Sequence, residues 1–339
     1  MDKIDRLKFL QKLETLSAGL SSRELIEQSS CFVFTDGMLW TFNDAIACSR
    51  KSPLDIPDCA VGAKPLLELL RRLPDESITI SAADKHLMIK GKNKRGGIRM
   101  EKEVMLPIGS IDSPNKWIKL SEHFLEALEF VVGCVSTKED SFDLQCVHIT
   151  KKFIEACDNF QFSRYPLKMK LENSILVLGK MIKSIIPLGM TEYSIAKGWI
   201  HFRNEAGLGY ALRIYPADDY LDFSKLTITE GKPLSLGKTL AEAAERTAMF
   251  AEQLLDDTHN IHVELSKNQI VLKSESIDGF FQERKKAEYK GDKINFQIMP
   301  EQLALLARNY RQTLISDNRL TVQTDNNAIF VSVIEKKDD

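Results

Sequence analysis

The sequence predicts an α+β protein made of three repeated, β-rich segments that each carry two helices. Three observations support this fold class. Amphipathic helical patterns recur at equal spacing, a hairpin-like stretch follows each of them, and a second helical pattern with alternating strands closes each segment. The chain of 339 residues is also too long for one ordinary hydrophobic core.

The first helical pattern of each repeat is predicted over 4–20, 121–136 and 237–255. In the first of these, Leu7, Leu10 and Leu13 recur every three residues, which gives the helix one apolar face. The starting positions lie 116 residues apart each time: Asp5, Ser121 and Gly237. Two equal spacings favour a true repeat over a general α+β likeness.

The hairpin and the second helix follow in the same order in every repeat. Asp36-Gly37 separates two β-rich runs, as a two-residue hairpin turn requires. The second helices are predicted over 63–75, 174–187 and 300–312. Gly and Pro between polar residues mark linkers, so we predict domains over 1–112, 113–228 and 229–339.

Composition indicates a globular protein of the cytosol. Hydrophobic residues make up 43% and charged residues 28%, and no apolar run reaches the ~18 residues of a membrane span. The six cysteines show no metal-ligand spacing, so we expect buried thiols and neither a metal nor a cofactor. No local catalytic motif occurs, which favours a protein that is not an enzyme.

The basic residues follow a pattern although the net charge is −2. The second helix of each repeat carries cations that would converge on one surface if the repeats surround an axis. They are Lys64, Arg71, Arg72, Lys180, Lys183, Arg308 and Arg311. Lys and Arg bind phosphates without reading sequence. The alternative is that cations late in a helix only offset its dipole.

Many short stretches together resemble the bacterial beta sliding clamp family. The likeness is best in KPLSLGKTLAEAAERTAMFAEQLLDD, NIHVELSKNQIVLKSES and EYKGDKINFQIMPEQLALLARNY, and it extends over essentially the whole chain. It implies the DNA clamp fold, in which two protomers join head to tail in a ring with helices lining the pore. The implied partners are double-stranded DNA, a DNA polymerase, a clamp loader and a second copy of the chain.

The resemblance also implies site residues. Arg23 and Lys138 match loop positions that contact DNA in the family. The partner-peptide pocket would be lined by Leu144, Cys157, Asn159, Phe160, Gln161, Phe162, Pro216 and Phe223. Phe160 and Phe162 stand where the family has His and Leu, which predicts a more aromatic pocket; plain core packing is the alternative for both.

The C-terminus departs from the family pattern. Only 21 residues run from Arg319 to the end, against 25 from Glu192 to Pro216, so we expect the third domain to lack its last strand. Ile329, Val331 and Val333 alternate and would still line the pocket. A shortened, divergent clamp is typical of a bacteriophage or another mobile element.

The ring contact is predicted to join Leu254 and Leu255 with a first-domain edge at Ile98 and Met100. Two other functions stay open on the sequence. One is a clamp-like scaffold that binds proteins without encircling DNA, and the other is an α+β enzyme without local motifs.

Overall fold

The computed structural model describes residues 3–111, 114–138, 141–251 and 259–337. Six α-helices lie within these residues, two in each predicted third of the chain. They are α1 Arg6–Glu14, α2 Ala63–Arg72, α3 Phe124–Val132, α4 Gly179–Ile185, α5 Thr239–Ala248 and α6 Pro300–Asn309.

Strands form most of the remaining regular structure, and every strand pair described is antiparallel. Those of the first third are β1 Lys3–Asp5, β2 Cys31–Thr35, β3 Met38–Phe42, β4 Ile46–Lys51, β5 Cys59–Gly62, β6 Ser77–Ala83, β7 His86–Gly91 and β8 Lys94–Glu101. Those of the second are β9 Ile118–Lys119, β10 Cys146–Ile149, β11 Phe153–Cys157, β12 Gln161–Pro166, β13 Ile175–Leu178, β14 Glu192–Ala196, β15 Trp199–Arg203, β16 Leu208–Arg213 and β17 Tyr215–Pro216. Those of the last are β18 Lys232–Ser235, β19 Ile261–Ser266, β20 Gln269–Ser276, β21 Gly279–Lys286, β22 Glu288–Tyr289, β23 Ile294–Ile298, β24 Gln312–Ile315, β25 Arg319–Gln323, β26 Ile329–Val333 and β27 Glu335–Lys336.

The α+β fold class predicted from the sequence is confirmed. The chain divides into two compact units, and the boundary between them falls inside α3. Unit 1 comprises 1–129 and 173–217, and unit 2 comprises 130–172 and 218–339. The three-domain division at 112 and 228 stays a prediction.

Most strands of each sheet belong to one unit. Unit 1 contains a 12-stranded sheet in the order β1-β6-β7-β8-β5-β2-β3-β4-β16-β15-β14-β9. Unit 2 contains the series β10-β11-β12-β26-β25-β24-β18-β22 and a five-stranded sheet, β21-β20-β19-β23-β27. Helices α1 and α2 pack together in unit 1, and α5 and α6 pack together in unit 2.

Local chemistry explains where α1 begins and ends. The Asp5 carboxylate accepts a hydrogen bond from the Lys8 amide at 2.9 Å, which caps the first turn. The helix ends at Glu14, well before the predicted Leu20. Gly19 lies against the backbone of Thr41, where a Cβ would come within 2.9 Å of the carbonyl group. The chain turns there because only glycine permits that approach.

The predicted hairpin turn at Asp36-Gly37 is confirmed. Both residues have positive φ, at 50° and 70°, and Thr35 pairs with Met38 across the turn. Positive φ at both central residues is the type I′ geometry that matches the twist of paired strands.

The expectation that the third repeat lacks its last strand is wrong. After α6 come β24, β25, β26 and the short β27, and after α4 come β14, β15, β16 and the short β17. Arg319 is already in the second of these strands, and the first, β24, has only four residues, which give little alternation. The argument for a bacteriophage origin that rested on a missing last strand therefore no longer applies.

Candidate functional site

The helix pair α1/α2 carries the basic surface of unit 1. Arg6 ties the two helices together, because its guanidinium donates to the carbonyl oxygens of Leu70 at 2.8 Å and Asp75 at 2.9 Å. The exposed cations of the pair are Lys8, Lys12, Lys64, Arg71 and Arg72. Arg71 forms an ion pair with Glu14 at 2.8 Å. The sequence also indicated Lys8 and Lys12 as basic residues of this first helix, and the structure describes both as exposed.

The other cations predicted for unit 1 are also on its surface. Lys180 and Lys183 are exposed on α4, and Arg23 is exposed in the segment between α1 and β2. A cation in water at the end of a flexible side chain can neutralise a phosphate without fixing its position.

The equivalent helix pair of unit 2 is largely neutralised by its own carboxylates. Arg308 on α6 forms an ion pair with Glu245 on α5. Arg246 on α5 donates to Glu283 at 2.9 Å, and this partner lowers the pKa of the Glu283 carboxyl to about 2. Arg311 and Lys138 are exposed. The predicted basic surface is therefore stronger on the helices of unit 1.

Most of the predicted peptide pocket comes together in unit 2. Cys157, Phe162 and Val331 form a buried cluster, and Leu144, Phe223 and Ile329 pack against it with Leu226, which the sequence did not suggest. Phe162 is 1% exposed, and the Phe223 ring lies 5.6 Å from it, centroid to centroid. Phe162 thus fills the position where the resemblance implies an open pocket.

The rest of the predicted pocket set lies around this cluster or apart from it. Phe160 is half-buried, and its carbonyl oxygen accepts from the amide of Val333, which is 44% exposed. Gln161 donates to the Gly133 carbonyl at 3.2 Å, and Asn159 is exposed. Pro216 belongs to unit 1, where it pairs with Ile175 in the short strand β17.

Phe162 lies in a group of four neighbouring strands, β11-β12-β26-β25, which we call the second junction. Across it, Glu155 pairs with Arg164, Arg164 with Ile329, and Ile329 with Gln323. The Glu155 carboxylate is 2% exposed, and it accepts from Arg164 at 2.6 Å and lies 2.8 Å from His148 Nδ1. All four residues of this row, Glu155, Arg164, Ile329 and Gln323, have long side chains.

Burial is the main cause of the raised pKa values of two ionisable groups beside the cluster. It raises the pKa of the Cys157 thiol to about 12, so this thiol stays protonated. Burial also raises the pKa of Asp158, although its carboxylate accepts the amides of Phe160 and Gln161 at 2.7 Å each. These groups shape the turn between β11 and β12.

The first junction, β3-β4-β16-β15 in unit 1, has the same strand arrangement. Trp40 pairs with Ser49, Ser49 with Gly209, and Gly209 with Arg203. Small residues in the two central strands leave a cavity of about 290 Å³ that Trp40 and Trp117 help to line. No local pattern indicated this cavity, because Ser49 and Gly209 are 160 positions apart.

The predicted ring-contact residues are described in part. Ile98 is half-buried and Met100 is 7% exposed, both in β8. Leu254 and Leu255 lie outside the described residues. Near the end of α5, three apolar side chains are strongly exposed: Met249 at 76%, Ile277 at 95% and Phe280 at 75%.

Comparison with solved structures shows the fold to which these surfaces belong. The DNA polymerase III beta chain of Streptococcus pneumoniae aligns with a TM-score of 0.82 at 16% identity, over 99% of both chains. The chain has the sliding-clamp fold. A DNA polymerase III subunit beta sliding clamp from Bartonella birtlesii aligns with a TM-score of 0.82 at 13% identity, over 98% of both chains. A putative DNA polymerase III beta subunit from Eubacterium rectale aligns with a TM-score of 0.78 at 16% identity, over 98% of both chains.

The clamp fold is thus shared along the whole length while little of the sequence is. No protein-family model and no curated protein matches the sequence. None of the described helices is long and apolar enough to cross a membrane. Among the described residues, no group of three or more His, Cys, Asp or Glu side chains could hold a metal ion.

Proposed function

We propose that this chain is a DNA sliding clamp, a non-enzymatic processivity factor that encircles duplex DNA in the bacterial cytoplasm. The observation that carries the proposal is the clamp fold, which extends over 98–99% of this chain and of the solved clamps. A protein that holds DNA by encircling it needs no base-specific contact, so its cations can bind phosphates weakly and exchange them.

The helices α1, α2 and α4 supply the DNA-facing cations in this proposal. Lys64, Arg72 and Lys183 are exposed at the first or last turns of their helices. Arg23, Arg71, Lys138, Lys180, Arg308 and Arg311 complete the predicted set of DNA-binding residues. Arg71 and Arg308 each have a carboxylate partner, so we expect unit 1 to contribute more through its other exposed cations, Lys64, Arg72, Lys180 and Lys183.

The strand pattern supports a head-to-tail ring and indicates which strands close it. Within the chain, β4 pairs with β16 and β12 pairs with β26, so the strand after each hairpin pairs with the closing strand of the next repeat. By the same rule β21 would pair with β8 of a second copy. Strand β21 is at the edge of its sheet; it contains the exposed Phe280, and the exposed Ile277 precedes it. An unpaired strand edge with exposed apolar side chains favours association.

Partner proteins are proposed to bind the outer side of the second junction. Phe160 and Val333 lie at its accessible margin, beside the covered Phe162. A polymerase or a clamp loader would bind there through a short peptide with apolar anchor residues.

The test measures solution mass by light scattering across a dilution series and retention on circular against linearised DNA. We expect a dimer that stays on circles and is lost from linear ends. A Phe280→Asp variant should be monomeric and leave both DNAs, while Leu221→Asp, at an exposed leucine of unit 2, should behave as the parent. Equal retention on both DNAs, or a monomer at all concentrations that is not retained on circles, contradicts the clamp.

A further inference from the structure

The first junction contains an open cavity where the second junction is filled. Two of the four residues across each row lie in the central strands: Ser49 and Gly209 in the first row, Arg164 and Ile329 in the second. Both Ser49 and Gly209 are half-buried, and a Cβ on Gly209 would lie 2.8 Å from the Ser49 hydroxyl. Because Ser49 and Gly209 have little or no side chain, they leave space above the two central strands of the first junction, and we call this part of the cavity its floor.

The cavity is flanked by large side chains with planar groups, the indoles of Trp40 and Trp117 and the guanidinium of Arg203. Trp40 flanks Ser49 on β3, and Arg203 flanks Gly209 on β15. The Arg203 guanidinium lies over the Trp117 ring, 4.2 Å from its centroid. Three strand spacings separate Trp40 from Arg203, which is about 14 Å. A volume of about 290 Å³ is at the small end for ligand pockets, so it suits one or two side chains and not a whole cofactor.

The charge at the cavity decides which partner fits. Arg203 is the one lining residue with a fixed charge among the described residues, and its side chain is 44% exposed. It forms an ion pair with Glu192 at 2.6 Å, which uses only part of its five N–H donors. An arginine that is stacked on an indole is held in place to bind a second carboxylate.

The chain itself shows what fills such a position. At the second junction, Arg164 stands at the position of Ser49 and lies over aromatic rings, 4.0 Å from the centroid of Phe153 and 5.5 Å from that of Phe162. The buried Phe162 lies two residues before it on β12. One junction of this architecture thus combines an aromatic ring with an arginine that binds a carboxylate. The first junction supplies the arginine and the indoles but not the central ring.

We propose that the first-junction cavity binds a short acidic peptide of a partner protein, with one aromatic side chain over Ser49 and Gly209 and an adjacent carboxylate on Arg203. The strands β4 and β16 are paired with neighbours on both sides, so the peptide binds through side chains and not as an added strand. This site is additional to the partner surface proposed for the second junction.

The experiment measures binding of a fluorescein-labelled peptide, Gly-Ser-Phe-Asp-Ser-Gly, to the full chain without DNA. Polarisation of the label reports binding, and the emission of the chain's tryptophans reports where it occurs, because two of the three line the cavity. The matched peptides replace Phe by Ala and Asp by Asn. DNA is absent, so the result is independent of ring closure and loading.

The decisive variant is Ser49→Ile, which fills the cavity with a residue suited to a strand. It should weaken binding at least about tenfold. Ser49→Val serves if the larger side chain impairs folding. Leu25→Ala, at a leucine of unit 1 that is 92% exposed, should leave the affinity unchanged. Phe160→Ala reports whether the peptide binds at the margin of the second junction instead.

Arg203→Gln tests the carboxylate contact separately. It should weaken binding of the Asp peptide about two- to fivefold and leave the Asn peptide unaffected, as expected for a partly exposed ion pair. No binding up to about 1 mM peptide overturns the proposal. So does binding that Ser49→Ile leaves intact, or binding that Phe160→Ala abolishes, since either places the peptide elsewhere.

Discussion

Units 1 and 2 have similar strand and helix arrangements but different side chains at equivalent positions. Both contain a helix pair and a four-stranded junction with equivalent register. In unit 1 the junction has Ser49 opposite Gly209 and remains open, whereas in unit 2 it has Arg164 opposite Ile329 beside Phe162 and is filled. The backbone pairing is thus compatible with either a binding cavity or a packed core, and side-chain volume decides between them.

The ion pairs of the two junctions differ in the same way. Arg164–Glu155 and Arg203–Glu192 both measure 2.6 Å. The first pair is buried, with side chains 15% and 2% exposed, and the second is open to solvent at 44% and 34%. Equal distances therefore do not mean equal energies, because desolvation and screening differ.

The largest effect is expected from emptying the filled junction. Phe162→Ala should lower the free energy of unfolding by about 3–5 kcal/mol, because it leaves a cavity in a fully buried cluster. Guanidinium titration followed by circular dichroism measures it. Phe160→Ala, at a half-buried position, should cost only about 1 kcal/mol. A similar cost for both would mean that Phe162 is not the core residue of this junction.

Removing the arginine from each ion pair compares the stabilisation from a buried pair with that from an exposed pair. Arg164→Ala should cost about 3–5 kcal/mol, because it removes the arginine that is paired with the buried Glu155 carboxylate and leaves the contact with His148 Nδ1. Arg203→Ala should cost under about 1 kcal/mol. The same titration measures both variants, and equal costs would remove the distinction between buried and exposed pairs.

The helix pairs of the two units are also expected to differ in how strongly their cations bind DNA phosphates. Replacing Lys12 and Arg72 by Ala should reduce the slope of log affinity against log salt by about 0.9 for each phosphate that is no longer neutralised. The paired variant Arg308→Ala with Arg311→Ala should change the slope less, because Glu245 already neutralises Arg308. Fluorescence titration of a DNA duplex at several salt concentrations measures these slopes. An equal or larger change in the unit 2 variant would reject the stronger role of unit 1.

The smallest difference concerns the cysteines, of which each unit has three, all buried. Burial raises the thiol pKa to about 11 at Cys31 and Cys59 and to about 12 at Cys146 and Cys157. The folded chain should therefore react with a disulfide reagent at pH 8 only as it opens, with Cys31 and Cys59 of unit 1 slightly ahead. Rapid labelling of the native chain would contradict this burial.

The same thiols set a pH dependence. A raised pKa means that the folded chain keeps its protons where the unfolded chain begins to lose them. For Cys31 the stabilisation is present below the ordinary value of 9.0 and is lost as the pH rises towards about 11. The unfolding free energy should fall over this range, and a Cys31→Ala variant should show a smaller fall.

Local patterns in the sequence predicted much of the fold correctly. The recurring apolar positions located all six helices, although α1 ends at Glu14 and the helix predicted from 174 begins only at Gly179, because 175–178 form strand β13. Asp36-Gly37 predicted its turn from the two residues alone. The strand β24 was missed because four residues give too little alternation to recognise.

The candidate site was harder to predict for a physical reason. The resemblance selected Cys157, Phe162, Phe223 and Val331, and the structure brings these together in one cluster. It could not indicate that Phe162 closes the position, because burial depends on Phe223, which approaches from another part of the chain. The charge pairing of Arg308 with Glu245 was hidden in the same way.

Local sequence was sufficient for the repeated helix–hairpin–helix order, the turn at Asp36-Gly37 and the cations of the second helices, because these depend on residues within a few positions of each other. The open or filled state of each junction and the neutralisation of particular cations follow from tertiary packing. Those properties depend on pairs such as Ser49 with Gly209, which strand register brings together from distant positions. Volume and charge there are properties of the pair, and no single stretch of sequence contains both partners.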